Sequence, residues 1–148
     1  MKIIPDTNLF IRGLLFRGDA RQVLNLAYCK KIDFYGSSGS YEELKRVVNY
    51  PRFKKYLAKE IYTPEKLLIS YKALVNIITV EDDYKKIHAV DEDPDDDEFI
   101  RIAKSVDAKI IISYDKHLKK LEKYEDIRII EPGIFLKIYP SLLGRKFS

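Results

Sequence analysis

The chain has 148 residues, 46% hydrophobic and 34% charged, with a net charge of +4 and one cysteine. That length fits one domain with a core of ordinary size; the lone Cys29 excludes an internal disulfide and a multi-cysteine zinc site, and no apolar run approaches the roughly 20 residues of a membrane-spanning helix. The charge is uneven: residues 1–80 carry 14 Lys and Arg against 7 Asp and Glu, residues 81–148 carry 13 against 16, which suits a polyanion-binding face beside a cation-binding cluster or the Lys- and Glu-rich surface of a heat-adapted protein.

Met1 leads straight into the strand Lys2-Ile3-Ile4-Pro5 without the basic region and apolar stretch of a secretory leader, so a cytoplasmic location is expected. Asp6-Thr7-Asn8 then places a carboxylate at the strand's end. Leu9 to Leu15 is apolar, Gly13 and Gly18 loosen the connection, and Asp19 caps a helix in which Ala20, Val23, Leu24 and Ala27 recur at helical spacing. Cys29 reads as a small buried hydrophobe. Ile32 to Gly36 is a second strand. After the turn Ser37-Ser38-Gly39-Ser40, the pair Ser40 and Glu43 has capping-box spacing, and the helix it opens turns Leu44, Val47 and Val48 inward and stops before Pro51. Pro51 to about Glu60 is a basic helical piece, and Thr63-Pro64 starts another helix that runs through Leu67, Leu68, Tyr71, Leu74 and Val75. Ile77 to Val80 is a β-branched strand. Asp93-Pro94 starts a helix with Phe99, Ile100, Ala103 and Val106 inward, Lys109 to Ser113 is a strongly apolar strand, and Asp115 opens a short helix containing Leu118 and Leu121. A last strand, Ile127 to Ile130, leads through Pro132-Gly133 to a final helix around Ile134 to Tyr139, and residues 142–148 read as a loose tail after a domain spanning 1–141.

Strands alternating with helices predict an α/β fold: a single three-layer domain with a central parallel sheet of about five strands and helices on both faces. Lys109 to Ser113, the most uniformly apolar strand, belongs at the centre. Ligands in such sheets sit outside the carboxyl ends of the strands, where Asp6 and Asp115 fall. Taken singly, each acid has a structural role: Asp6 binding backbone N–H groups in the turn after the strand, Asp115 as a helix cap, Glu43 in a capping box, Asp96 in an acidic first turn that suits the helix dipole. Facing separates them. Asp96 lies three, four and seven residues before Phe99, Ile100 and Ala103 and so shares the sheet-facing side, while Asp95 and Glu98 face water more. Carboxylates gathered at one sheet edge repel one another unless a cation neutralises them, and a hard divalent ion, Mg²⁺ or Mn²⁺, is the natural partner.

The strand ending in Asp6-Thr7-Asn8, the Ser-x-x-Glu-Leu helix start at Ser40 to Leu44, the stretch Asp93 to Ala103, and Ser113-Tyr114-Asp115-Lys116-His117-Leu118 come in one order over nearly the whole chain. In that order the sequence resembles the PIN-domain nucleases. The resemblance implies a metal-dependent endonuclease acting on RNA, commonly a homodimer and often the toxin paired with a cognate antitoxin protein. It maps Asp6, Glu43, Asp96 and Asp115 to catalytic, metal-binding acids holding one or two ions, and Thr7, Asn8 and Ser113 to supporting positions. Asp97 stands as a further metal ligand, and the register between Asp96 and Asp97 stays open.

The chemistry suits these residues without the name. Phosphodiester hydrolysis needs a water made nucleophilic at neutral pH and a cation on the departing oxygen, which carboxylate-bound metals supply. His88 and His117, the only histidines, read as surface or capping residues, against a histidine-pair ribonuclease. Arg12, Arg17, Arg21, Arg46, Arg52, Lys54 and Lys55 could line a groove toward the acids, with Tyr50, Phe53 or Tyr56 stacking on single-stranded bases; the alternative is a solvated basic face with core aromatics between. Two other functions compete. One is a catalytically silent PIN-like module that binds RNA or protein. The other is an aspartate-based phosphotransfer domain, which would want a second Asp where Asn8 stands.

Overall fold

The computed structural model describes residues 1–59, 62–90 and 96–147. Asp93-Pro94, the expected start of a helix, lies outside the described residues, as do Glu60, Asp95 and Ser148. The elements run β1 (Lys2–Pro5), α1 (Thr7–Leu15), α2 (Asp19–Tyr28), β2 (Asp33–Ser37), α3 (Ser38–Val48), α4 (Pro51–Lys59), α5 (Pro64–Leu74), β3 (Val75–Ile78), a 3-10 turn (Asp82–Tyr84), α6 (Asp97–Val106), β4 (Ile110–Ile112), α7 (Lys116–Leu121), β5 (Lys123–Tyr124), β6 (Ile127–Ile130) and α8 (Pro132–Phe147).

The strands form one sheet in the order β3-β2-β1-β4-β6-β5. Five of them are parallel, and β5 adds a two-residue antiparallel edge against β6. Because side chains alternate across a strand, Ile3, Ile110 and Ile112 enter one apolar layer with Phe10 and Leu44, while Ile4 and Ile111 enter the other with Phe99 and Ile100. Both central strands are therefore covered on both faces, as an all-isoleucine β4 requires. Among the described residues, no helix is long and apolar enough to cross a membrane.

Several local expectations change. Leu9 to Leu15 is not a connection but most of helix α1, and Gly13 does not loosen it: a Cβ there would stand 2.6 Å from Leu24 Cδ1, so glycine lets α1 and α2 pack closely. Asp19 is the first residue of α2 rather than its cap, which is Gly18. Val75 starts β3, so the third strand begins earlier than Ile77. Cys29 is exposed, because it follows the last turn of α2 and falls off the face made by Ala20, Val23, Leu24 and Ala27. The last helix continues to Phe147 where a loose tail was expected, since Ile138, Tyr139 and Leu142 keep packing against the core.

Candidate active site

The register Pro5 with Ile112 brings the carboxyl ends of the two central strands side by side, and the residues just beyond them, Asp6 and Ser113, meet. Asp6 caps α1: Leu9 N–H donates to its Oδ1 at 2.7 Å, while the Ser113 hydroxyl donates to Oδ2. Ser113 Oγ in turn accepts from the Asp115 N–H at 2.8 Å, and Asp115 Oδ1 caps α7 by accepting from His117 and Leu118 N–H. One short relay of hydrogen bonds thus fixes Asp6 and Asp115 relative to each other. Asp6 is 3% exposed. Burial pushes its carboxyl up to about 6, with the nearby Asp115 charge adding to the rise and the bonds from Ser113 and Leu9 opposing it.

Glu43 reaches the same place and does not take the capping-box role that its spacing from Ser40 suggested. The capping box of α3 is made by Ser37 and Ser40, because the helix starts at Ser38. Glu43 therefore sits further along α3, where Thr7 Oγ1 donates to its Oε2 at 3.0 Å. Asp96, buried, immediately precedes α6. Asp6, Glu43, Asp96 and Asp115 all line one cavity, together with Thr7, Asn8 and the cations Arg46 and Arg52.

Asp97 goes elsewhere. Fully buried, it accepts from the backbone N–H groups of Ala89 and Val90 at 2.8 and 2.7 Å and stands 2.7 Å from His88 Nδ1, so it ties the preceding loop to α6 rather than facing the cavity. Glu98 was expected to face water. It instead accepts from the Ser37 hydroxyl at 2.6 Å and occupies the space beside Gly39, where a Cβ would come within 2.5 Å of its Oε2. This clip joins the α6 start to the α3 cap. Nothing in the spacing of Ser37 and Glu98 announces it, since the two are 61 residues apart.

The basic side chains divide. Arg46 and Arg52 line the cavity, Lys54 and Lys55 are exposed on α4, and the Arg12 guanidinium lies 4.8 Å from the centre of the Tyr114 ring. Arg17 is exposed past the end of α1 and does not line the cavity. Arg21 serves structure, donating to the carbonyls of Gly13 and Leu14 at the end of α1. Among the described residues, no three Asp, Glu, His or Cys side chains form a ready-made ion cage. The donor set still fits a hard cation: four carboxylates facing one cavity suit an ion such as Mg²⁺, which keeps several waters and binds through one or two carboxylates.

A family model described as PIN domain matches residues 2–117. Among curated proteins, no match was found. Among solved structures, the chain is similar to the crystal structure of VapBC2 from Rickettsia felis bound to a DNA fragment from their promoter, with a TM-score of 0.57 and 14% identity over 87% of this chain and 97% of that one. At that identity the likeness is one of fold.

Proposed function

The chain belongs to the PIN domain family, and on that premise we propose that it is a divalent-metal-dependent endoribonuclease. The observation that carries the proposal is the convergence of Asp6, Glu43, Asp96 and Asp115 on one cavity at the carboxyl edge of the sheet, with Arg46 and Arg52 at its wall. These four acids would hold one or two Mg²⁺ or Mn²⁺ ions. Such an ion, when bound, makes water nucleophilic at neutral pH and offsets charge on the departing oxygen.

The chain's own residues prepare that chemistry. Ser113 and the Leu9 N–H fix the plane of the Asp6 carboxylate, and Asp115 uses Oδ1 on the backbone, so Oδ2 is the oxygen a cation would take. Thr7 holds Glu43 by Oε2, orienting a carboxylate toward the cavity where it can accept a proton from the attacking water. Arg46 and Arg52 supply positive charge for the scissile phosphate's non-bridging oxygens. A catalytically silent binding module would have no need of four acids in one cavity. The family resemblance further supports a cytoplasmic homodimer acting as a toxin with a cognate antitoxin.

The test is cleavage of a panel of single-stranded and structured RNAs by the purified chain with Mn²⁺ or Mg²⁺, beside a chelated control and the variants Asp6→Asn, Asp96→Asn and Asp97→Asn. The expected result is metal-dependent cutting that Asp6→Asn and Asp96→Asn abolish. Binding of metal and RNA with no cutting by the wild type would overturn the nuclease reading in favour of a binding module.

A further inference from the structure

Beside the acidic cavity lies a second feature of opposite character. From Lys45 to Tyr56 the chain carries five Lys and Arg and no Asp or Glu. Aromatic rings are interleaved with these cations: the Arg52 guanidinium lies 5.8 Å from the Tyr50 ring centre and 4.7 Å from that of Phe53, and Lys55 Nζ lies 5.1 Å from that of Tyr56. Phe53 packs partly against the core, but Tyr50 and Tyr56 are 44% and 38% exposed. Phe16, at the end of α1, is 41% exposed and meets Tyr56 edge to face, with ring centres 5.3 Å apart. Tyr50 is held in place by its backbone, which donates to Val47 O at the end of α3, and its side chain lines the cavity of the four acids.

Tyr50, an exposed aromatic at the cavity set among cations, matches the needs of a nucleic-acid strand with its bases splayed out. Every base has a π-face, and stacking on aromatic rings beside a positive track is how single strands are held. Resting on the nuclease reading above, we propose that Tyr50 is a stacking ledge for an unpaired base of an RNA whose backbone crosses the four-carboxylate cavity. Arg46 and Arg52 hold the phosphates at the cavity, and Tyr50 fixes the first base beside the cut. A paired base hides both faces in its stack, so the ledge selects single-stranded substrate.

The experiment is binding of a fluorescein-labelled single-stranded RNA, and of the duplex of the same sequence, to the full chain in chelator, read by fluorescence anisotropy for the wild type, Tyr50→Ala, Tyr50→Phe and Arg52→Ala. Tyr50→Ala is expected to weaken single-strand binding about tenfold and leave the weaker duplex binding unchanged; Tyr50→Phe retains the affinity because the ring remains. The ledge is overturned if Tyr50→Ala binds the single strand as the wild type does, or loses single strand and duplex equally. If the wild type cuts RNA and Tyr50→Ala has no effect, only the ledge fails. If the wild type neither binds nor cuts RNA, the nuclease reading falls with it. Capture of polyglutamate in place of RNA would make the occupant an acidic protein segment and sink the assignment.

Discussion

Asp6 is buried where a charge is costly and held by donors that favour the charge, and burial wins. Its carboxyl, ordinarily near 3.8, lies at about 6 in the folded chain. A raised carboxyl pKa means that the folded state holds the proton more tightly than the unfolded state, so its favourable contribution is complete below about pH 4 and is lost as pH rises through about 6. A shift of about two units corresponds to roughly 3 kcal/mol. With divalent ions chelated, urea melts should show Asp6→Asn more stable than the wild type at pH 8, by up to about that amount, with the advantage disappearing toward pH 4. The same substitution should abolish cleavage.

At this scale, what could be read from the sequence was what lies within a few residues of itself. The caps Thr63 and Asp115 each bond to a backbone N–H two or three residues on, and each was legible; for Asp6 the bond to following backbone N–H groups was legible, but not the helix it caps. Asp96 could be preferred over Asp97 by facing alone. Where Asp97 goes could not be read, because its partners Ala89 and Val90 arrive by a loop that no local pattern describes. The structural role offered for Glu43, a capping box with Ser40, was mistaken, because the backbone turns helical at Ser38 and Ser37 takes the cap with Ser40.

Between elements, the start of α6 is tied twice, and both ties make predictions. Asp97→Ala leaves the Ala89 and Val90 N–H groups without their carboxylate and should lower stability by about 2–4 kcal/mol in chemical denaturation, whether or not metal is present. The Ser37 to Glu98 clip predicts a change of sign. In the wild type, Gly39→Ala must displace the Glu98 carboxylate and break its bond to Ser37, at a net cost of about 1 kcal/mol; in a Glu98→Ala background the same change should stabilise α3 by roughly 0.5–1 kcal/mol, as alanine for glycine in a helix does. The helix hidden in Leu9 to Leu15 shows why elements are missed. Leu9, Phe10, Ile11, Gly13 and Leu15 of α1 are all buried, and within Leu9 to Leu15 only Arg12 is polar, so the stretch shows too little of the period that identifies a surface helix. The central place of β4 was easier, since Ile110 to Ile112 are apolar on consecutive residues, the signature of burial on both faces.

For the molecule as a whole, the uneven charge predicts how substrate is held. The exposed cations of α3 and α4 adjoin the cavity, so RNA affinity should fall linearly on a log-log plot against salt, and Arg52→Ala should lower the slope by about 0.7, the share of one single-strand phosphate contact. Anisotropy titrations across a range of KCl concentrations would read both. The three-layer α/β architecture was legible from alternation alone, whereas the antiparallel β5 edge was too short to carry a signal.

The bond from Ser113 to Asp6 spans 107 residues of chain. Asp6 is translated well before its partner strand β4 and the acid Asp115. A chain still in synthesis therefore has β1 and β2 to pair but no complete set of acids. As the nuclease proposed above, the chain therefore gains a complete site only once the segment that carries Asp115 has emerged.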